Sequence, residues 1–416
     1  MPAKKMILGK GQYYDLDTHK TCLNNNVFVV GASGTGKTRS IVIPNLLQAT
    51  RSYIVSDPKG NLYGKYKGYL ERKGYVVKKL DFTDPDHSAR YNFFNYIHDS
   101  MDVLKIAHML VKQDDAKIRM DPFWEEASQL LIMGAITYLI EFNIANDKTL
   151  QGILKLLRTD CSKGDLTERD TILDILIRRA EKAKKDSESV KLFKMAKVSA
   201  DRTYRSILIT IFAKLGRFDN DKLSSMMSED DIDLASIGQR KTALFVVVSD
   251  TDRSMDTLAE IFFTQAMNEL CLYADNECED CRLPVPVRFI LDDFATNCKI
   301  LDFPRMIASI RSREISAMLM VQTESQLEKG YGDDAETIIG NCDTYLYLGG
   351  TDIKTAKSVA ERSDIPMKKI LNMPVGTNWL FRRGQEPING TNLELNRLLK
   401  QKGLLAERPV TEEIAI

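Results

Sequence analysis

The segment Gly31–Thr38 constrains the fold most strongly, because it fits the pattern G-x-x-x-x-G-K-[ST] at every fixed position. A strand-like run, Val27–Val30, precedes this segment, and a stretch of helical character, Arg39–Ala49, follows it. Glycines let the backbone between them turn tightly, so that its N–H groups and the helix N-terminus can face a phosphate. The pattern therefore predicts a strand, a phosphate-binding loop and a helix, and with them a bound nucleoside triphosphate.

Lys37 and Thr38 at the end of the loop have individual predicted roles, and the neighbouring residues are predicted to contact the nucleotide. Lys37 is expected to reach the β- and γ-phosphates, and the Thr38 hydroxyl to bind Mg²⁺. The predicted nucleotide-binding residues are Gly31, Ser33, Gly34, Thr35, Gly36, Lys37, Thr38 and Arg39.

Two later strand patterns end in polar residues. The apolar run before Asp292 and Asp293 predicts that Asp292 helps to hold Mg²⁺ and that Asp293 orients or activates the attacking water. The buried-strand pattern Ile315–Val321 ends at Gln322. Parallel sheets bind ligands at the carboxyl ends of their strands, so Gln322 is expected to sense the γ-phosphate or to position water, although it could simply cap the strand.

Arg311 and Arg313 lie between these two strands. One interpretation is an arginine finger that acts on a neighbouring subunit, and the other is a pair of surface arginines in weak salt bridges. The turn Asp57–Gly60 is also open to two interpretations, either a contribution to the nucleotide or pore region or a plain turn in which Asp57 caps a helix.

The order of strand and helix signals indicates the domain organisation of the 416 residues. Strands and helices alternate at first, strand signals fade from about Met101 to Asp233, and they return at Ala243. We predict an α/β fold of the P-loop NTPase (RecA-like) class, with a parallel sheet and a large all-α insertion. The predicted parts are residues 1–100 and 236–416 for the nucleotide-binding domain, and 101–235 for the insertion. Beyond about Arg382 the chain is polar and weakly patterned, so partial disorder is expected there.

Composition narrows the classes of function. Lys and Arg together number 58, as do Asp and Glu, so any nucleic-acid binding must use local patches. One such patch is Arg178–Lys185, in which Arg178, Lys182 and Lys185 would share a helical face. This face is either solvated or a docking surface for DNA or an acidic partner.

The longest apolar run and the cysteines bear on membrane insertion, disulfide formation and zinc binding. The longest apolar run, Leu130–Ile140, is too short to span a bilayer, and the chain as given is expected to be soluble. Seven scattered cysteines are typical of reduced cytosolic thiols. Cys278 and Cys281, with Cys271 nearby, could form half of a zinc site, but the segment has the character of a polar loop.

Taken together, the motifs resemble those of the TraG-type coupling ATPases of type IV secretion and conjugation. The resemblance runs from about Asn26 to Gly350, and the ordered set is far more specific than the phosphate loop alone. Its segments are Gly31–Thr38, Pro44-Asn45, Asp57–Gly60, Tyr91–Phe94, Asp121–Trp124, Leu291–Ala295, Arg311–Glu314, Gln322 with Gln326-Leu327, and Asn341–Asp343.

The resemblance implies a hexameric ATPase that uses ATP and Mg²⁺. It implies a place at the cytoplasmic face of the bacterial cell membrane, where the protein would deliver relaxase-bound single-stranded DNA to a secretion channel. The all-α insertion would recognise the substrate at the cytoplasmic mouth of the ring.

Three features depart from the pattern of these ATPases. Asp292-Asp293 replaces the usual Asp-Glu, and Asn61 replaces the usual Glu after Lys59-Gly60. Membrane helices are expected before the first motif and are absent, so we expect either a truncated soluble part that lacks its anchor or a member that works without an anchor of its own. A nucleotide-gated substrate receptor with little motor activity therefore stays an alternative, as does another hexameric DNA translocase.

Overall fold

The computed structural model describes residues 5–112, 121–144, 147–161 and 170–405. The chain forms two compact units. Unit 1 comprises Met1–Lys79, Leu234–Thr251 and Ala266–Ile416, and unit 2 comprises Leu80–Asp233 and Asp252–Gln265. The insertion was predicted to span residues 101–235, whereas the main segment of unit 2 spans Leu80–Asp233. A second segment, Asp252–Gln265, also belongs to unit 2. The prediction that the insertion is a separate domain is not tested by this division.

The strands of the described residues form a hairpin and a large sheet. Their bounds are β1 Lys5–Gly9, β2 Gln12–Asp15, β3 Val27–Val30, β4 Ser52–Ser56, β5 Val76–Asp81, β6 Thr242–Val247, β7 Val287–Leu291, β8 Ile315–Val321, β9 Thr344–Tyr347, β10 Thr377–Arg382 and β11 Ile388–Thr391. β1 and β2 make the antiparallel hairpin, and the other nine strands make the sheet.

The order of the strands in the sheet is β11-β10-β9-β3-β8-β7-β4-β6-β5. The six strands from β9 to β6 are parallel neighbours, whereas β10 runs antiparallel to β9 and β11. The central strands are continuous apolar runs with every residue buried, as in Val27–Val30 and Ile315–Val321, because helices cover both faces of such a sheet. Every strand predicted above is present, which confirms the α/β class.

Helices make up most of the remaining described chain. Their bounds are α1 Thr18–Thr21, α2 Ile43–Leu46, α3 Asn61–Arg72, α4 Ser100–Val111, α5 Pro122–Glu141, α6 Leu150–Arg158, α7 Ile172–Ala183, α8 Glu188–Ala196, α9 Asp201–Leu215, α10 Asp221–Met226, α11 Asp256–Glu277, α12 Phe294–Asn297, α13 Phe303–Ser309, α14 Glu324–Tyr331, α15 Asp334–Gly340, α16 Ile353–Ser363, α17 Met367–Leu371 and α18 Leu395–Gln401. A π-helical turn, Thr38–Val42, leads into α2, so the helix after the phosphate loop ends at Leu46 instead of continuing to Ala49.

Unit 2 contains α4–α10 and no strand among its described residues between 100 and 233. Its helices follow the predicted apolar spacing, and most are N-capped by a Ser, Thr, Asp or Asn side chain, such as Asp121 at α5 and Thr171 at α7. The helices bury apolar faces against one another, and α5 packs along α8. None of the described helices is long and apolar enough to cross a membrane.

The C-terminal region corrects one expectation. Residues beyond Arg382 are ordered through 405, because β11 pairs with β10 and α18 buries Leu395 in the core of unit 1. The sequence concealed this, since an edge strand and a short amphipathic helix carry few apolar residues. Residues 406–416 lie outside the described part of the chain.

Candidate nucleotide-binding site

The motif residues of unit 1 meet at one edge of its sheet. β3 and β8 pair so that Val30 lies opposite Val321, and β7 and β8 pair with Leu291 opposite Leu319. The residue after each strand therefore emerges at the same carboxyl edge. This register brings the phosphate loop next to Asp292 and Gln322, although the loop lies more than 250 positions before them in the sequence.

The phosphate loop is held in shape by its own backbone. Gly31 N–H donates to Val321 O at 3.2 Å, and Ala32 N–H donates to Gly349 O at 3.0 Å, which ties the loop to both flanking strands. Gly34 and Gly36 have φ of 82° and 90°, a region that favours glycine. The Thr35 hydroxyl closes the turn by donating to Ala32 O at 2.8 Å.

Lys37 is buried and folds back over the loop. Its Nζ donates to Gly31 O at 2.6 Å and to Ala32 O at 3.4 Å. Burial lowers the pKa of Lys37, while the charges of Asp292 and Asp293 act to raise it. The Lys37 ammonium is thus hydrogen-bonded to two carbonyl oxygens of the loop. It lies next to the space where phosphate oxygens would bind.

Thr38 and Asp292 form an oxygen pair suited to a hard cation. The Thr38 hydroxyl donates to Asp292 Oδ2 at 2.8 Å. Burial raises the pKa of Asp292 despite that hydrogen bond, the neighbouring charge of Asp293 raises it further, and Lys37 and the Asp293 N–H oppose the rise. A bound cation would satisfy this carboxylate, and hydroxyl and carboxylate oxygens are the ligands that Mg²⁺ prefers.

Asp293 and Gln322 are in contact beside this pair. Asp293 has φ of 55° and precedes α12, and Gln322 Nε2 donates to Asp293 Oδ1 at 3.4 Å. The backbone N–H of Gln322 donates to Gln326 Oε1 at 2.9 Å. A carboxylate and an amide that face the same space can hold and polarise one water molecule.

A cavity of about 470 Å³ opens at this edge. Most of the predicted site residues line it, including Ser33, Gly34, Gly36, Lys37, Thr38, Arg39, Asp292, Asp293 and Gln322. Gly31 and Thr35 are not among the lining residues; they shape the loop behind it. The cavity is large enough for a nucleotide, and its lining supplies both cations and carboxylates.

Sequence reasoning missed several lining residues, namely Ser56, Asn61, Lys65 and Asp250. Lys59 and Asp57 were noticed only within the turn Asp57–Gly60. Asp57 is buried and accepts hydrogen bonds from the backbone N–H groups of Asn61 and Leu62 at 3.2 and 2.7 Å, so it caps α3. Both Asp57 and Asp250 follow the ends of predicted strands, and this position was an available signal.

The two candidate finger arginines lie elsewhere in the same unit. They precede β8, at the amino edge of the sheet. Arg313 forms two hydrogen bonds of 2.7 Å with the Asp275 carboxylate, and Arg311 donates to Thr18 O at 3.1 Å. The structure therefore does not bring either arginine to the cavity of its own chain.

Two further candidate sites from the sequence are the zinc site at Cys278 and Cys281 and the basic segment Arg178–Lys185. Among the described residues no group of three or more His, Cys, Asp or Glu side chains could hold a metal ion, so Cys278 and Cys281 have no partners for a zinc site. The basic segment also differs from the prediction, because α7 ends at Ala183 and Lys185 lies beyond it. Arg178 pairs with Asp170, and Lys184 pairs with Glu141.

Comparison with known proteins gives one family and one fold. The family described as "Type IV secretory system Conjugative DNA transfer" matches residues 2–363. The conjugal transfer protein TraG of Escherichia coli is 22% identical over 380 residues, which are 84% of this chain and 57% of TraG. The chain thus spans little more than half the length of that relative.

Solved structures share the fold at low identity. The conjugative coupling protein TrwBdeltaN70, crystallised with sulphate, has a TM-score of 0.69 and 17% identity over 95% of this chain and 90% of that one. TrwB in complex with the ATP analogue ADPNP has a TM-score of 0.68 and 16% identity over the same shares. VirB4 of Thermoanaerobacter pseudethanolicus has a TM-score of 0.55 and 11% identity over 94% and 96%. The predicted RecA-like P-loop fold is confirmed.

Proposed function

Because this chain belongs to the family of type IV secretory system conjugative DNA transfer proteins, the TraG-type coupling proteins, we propose that it is a coupling ATPase. It binds ATP with Mg²⁺ and uses hydrolysis to feed relaxase-bound single-stranded DNA to a conjugation or secretion channel. The observation that carries the proposal is the convergence of Lys37, the Thr38–Asp292 pair and the Asp293–Gln322 pair on one cavity.

The residues of the cavity divide the chemistry between them. The backbone N–H groups after Gly34 and the ammonium of Lys37 bind the phosphates, once Lys37 exchanges its loop carbonyls for phosphate oxygens. Thr38 and Asp292 would hold Mg²⁺, and a bound Mg²⁺ would supply positive charge next to the phosphates. Asp293 and Gln322 orient the attacking water. Related TrwB structures with ADPNP and with ADP and Mg²⁺ support this choice of cofactors.

The partners follow from the family. Single-stranded DNA and relaxase are the proposed substrate, and channel components are the proposed receivers. We place the protein at the cytoplasmic face of the bacterial membrane. The active form is a hexamer, in which Arg311 or Arg313 of one subunit serves the cavity of the next. For Arg313 this requires exchange of its bond to Asp275.

A second function is favoured by one observation. Asp293 has the shorter of the two acidic side chains, and its contact with Gln322 is long, at 3.4 Å. If this carboxylate does not reach the attacking water, hydrolysis is slow. The protein would then act as a nucleotide-gated receptor that binds ATP and relaxase.

Steady-state hydrolysis distinguishes the two functions. ATP turnover with Mg²⁺ is measured over a range of protein concentrations, with and without single-stranded DNA. A coupling motor gives a rate per subunit that rises with concentration and with DNA, because the catalytic arginine comes from a neighbour. Tight ATP binding with no turnover at any concentration, alongside retained binding to relaxase, would establish the receptor instead.

A further inference from the structure

A second cleft of unit 1 carries unbalanced positive charge. It has a volume of about 410 Å³ and lies between the β1–β2 hairpin and α18. Its cations are Lys5, Lys10, Arg397 and Lys402, and its one carboxylate is Glu394. None of these four cations forms an ion pair with any residue that the structure describes.

Other clefts of the protein balance their charges internally. In the cleft between α14 and α16, Lys354 pairs with Glu328 and Lys357 with Glu361. In the cleft beside α7, Lys197 pairs with Asp174 and Lys194 pairs with Glu181. The cleft at α18 differs from these two, because its four cations outnumber its one carboxylate, Glu394, and none of them is paired with it. Burial lowers the pKa of Lys402, and the charge of Lys73 lowers it further.

The shape and lining of the cleft favour a nucleic-acid strand over a small anion. Four cations spread along one concavity can follow successive phosphates of a chain. Tyr13 lines the same cleft and is 45% exposed, which leaves its ring free to stack on a base. Cations that follow a backbone, combined with an aromatic platform, are typical of proteins that bind single strands without sequence preference.

A chain of three amides, of which Gln12 and Asn378 are buried and Asn392 is half-buried, connects this cleft to the phosphate loop. Gln12 Nε2 donates to Asn378 Oδ1 at 3.1 Å, Asn378 Nδ2 donates to Asn392 Oδ1 at 3.2 Å, and Asn392 Nδ2 donates to Thr35 O at 3.3 Å. Gln12 lies between Lys10 and Tyr13, and Asn392 directly precedes Leu393, which also lines the cleft. We call Gln12, Asn378 and Asn392 the amide relay.

The relay ends on a peptide group that faces the nucleotide cavity. The Thr35 carbonyl and the Gly36 N–H belong to the same planar trans peptide, so they point in opposite directions. By holding Thr35 O, Asn392 directs the Gly36 N–H away from itself, and Gly36 lines the cavity. A shift of the β11–α18 junction would therefore rotate a peptide of the loop that is expected to bind phosphate.

We propose that the cleft between the β1–β2 hairpin and α18 binds the phosphate backbone of single-stranded DNA, and that Asn392 couples its occupancy to the phosphate loop. The choice of DNA rests on the proposed function. Asn392 acts here as a positioning residue, since it reaches the nucleotide only through the Thr35–Gly36 peptide.

Binding is tested without nucleotide, so that the result does not depend on hydrolysis. A labelled poly(dT) strand of roughly 20 nucleotides is titrated at several salt concentrations. The double variant Lys10→Glu/Arg397→Glu is expected to bind at least about tenfold more weakly, with the salt slope reduced by about 1.4, because two phosphate contacts are lost. The charge-matched control is Lys368→Glu/Lys369→Glu on α17, which should bind as wild type does.

Equal binding by wild type and the Lys10/Arg397 double variant would overturn the site. So would a loss of binding that follows Arg178→Glu/Lys182→Glu on α7 instead. Absence of DNA binding by the wild type would overturn it as well, and nucleotide binding measured on the same sample shows whether the nucleotide site stands independently of that result.

Coupling is tested by the affinity for a non-hydrolysable fluorescent ATP analogue, measured with and without poly(dT). In the wild type, DNA is expected to change this affinity by about fivefold or more, and the analogue to change DNA affinity by the same factor. Asn392→Ala should keep DNA affinity but lose the coupling, whereas Asn389→Ala on exposed β11 keeps both. Coupling that survives in a folded Asn392→Ala protein would refute the relay.

Discussion

Asp292 and Glu141 are both partly buried carboxylates, but their surroundings are opposite. At the end of α5, Glu141 accepts hydrogen bonds from Lys184 Nζ at 2.9 Å, from the hydroxyls of Ser187 and Ser189 at 2.7 Å each, and from the Glu188 N–H at 3.0 Å. Burial acts to raise the pKa of Glu141, but these donors outweigh it and lower the pKa to about 2. Asp292 has Thr38 as its side-chain donor, and its pKa is raised.

The difference separates a structural charge from a functional one. Glu141 connects the end of α5 to the N-terminus of α8, where its negative charge also complements the helix dipole. Donors within the chain already bind both of its carboxylate oxygens. Asp292, Asp293 and Lys37 line one cavity, and each makes only one or two side-chain hydrogen bonds within the chain. Such groups are stable only because the rest of the fold holds them, and a bound ion and phosphate would complete them.

The largest expected effect is that of Lys37→Ala. Loss of a charge-assisted contact to the β- and γ-phosphates should lower ATP turnover roughly a thousandfold, with ATP binding greatly weakened. The nucleotide-free variant should melt no lower than wild type, because it loses a buried charge. Turnover assays and thermal melts check this, with Lys357→Ala as the lysine control. Unchanged ATP affinity and turnover in the folded variant would rule out the assigned cavity.

Asp293→Asn should be next in size. If Asp293 activates the attacking water, this variant keeps ATP binding and loses hydrolysis by roughly a hundredfold. Analogue titration and steady-state turnover, measured on the same preparation, give the two numbers. Asp250→Asn, which changes another carboxylate of the cavity, serves as the matched control. Full turnover in Asp293→Asn would transfer the water-activating role to Gln322 or to a neighbouring subunit.

Glu141→Gln should affect stability instead of function. The amide cannot accept all of the hydrogen bonds that the carboxylate does, so unfolding should cost about 1–3 kcal/mol less. Because the folded pKa lies below the ordinary value of about 4.3, this contribution is complete above that value and lost as pH falls towards about 2. Denaturant unfolding at neutral and acidic pH measures it. A large change in ATP affinity of the folded variant would contradict the contrast with Asp292.

The smallest effect concerns pH at the nucleotide site. Mg²⁺ must bind the ionised form of Asp292, whose pKa lies above the ordinary value of about 3.9. The Mg²⁺ requirement for binding of the ATP analogue should therefore begin to rise at a higher pH than it would with an unperturbed Asp carboxyl, by up to about tenfold per pH unit below that pKa. Titrations from about pH 8 to about pH 5 follow it.

The sign for stability is opposite to that for Glu141. A raised carboxyl pKa stabilises the fold at low pH, and that stability is lost as pH rises through the folded value. Asp292→Asn should therefore raise the stability of the nucleotide-free protein at neutral pH while it weakens Mg²⁺ binding. A variant that keeps the acid dependence of wild type would show that another group titrates there.

The sequence by itself determined the parallel core and most of the nucleotide site. Gly31–Thr38 needs a strand before it and a helix after it, and apolar runs such as Ile315–Val321 leave no alternative to a sheet covered on both faces. Because the carboxyl ends of parallel strands share one edge, Asp292 and Gln322 could be placed beside Lys37 before any coordinates were known. These are local patterns and one general rule of topology.

Only the tertiary structure decided which polar residues are partners. Neither Glu141 nor Asn392 has a local signal, because their partners lie between 14 and 357 positions away in the sequence. The C-terminal strand β11 was missed because its residues are mostly exposed and show no alternating pattern. The helix α18 was missed because Leu395 is buried in a core that includes Met6 and Leu8 from the other end of the chain. Arg311 and Arg313 matched a motif, yet the fold places them at the amino edge of the sheet. Hydrogen bonds and ion pairs depend on atomic distances, and the fold brings distant segments within those distances without leaving a periodic trace in the sequence.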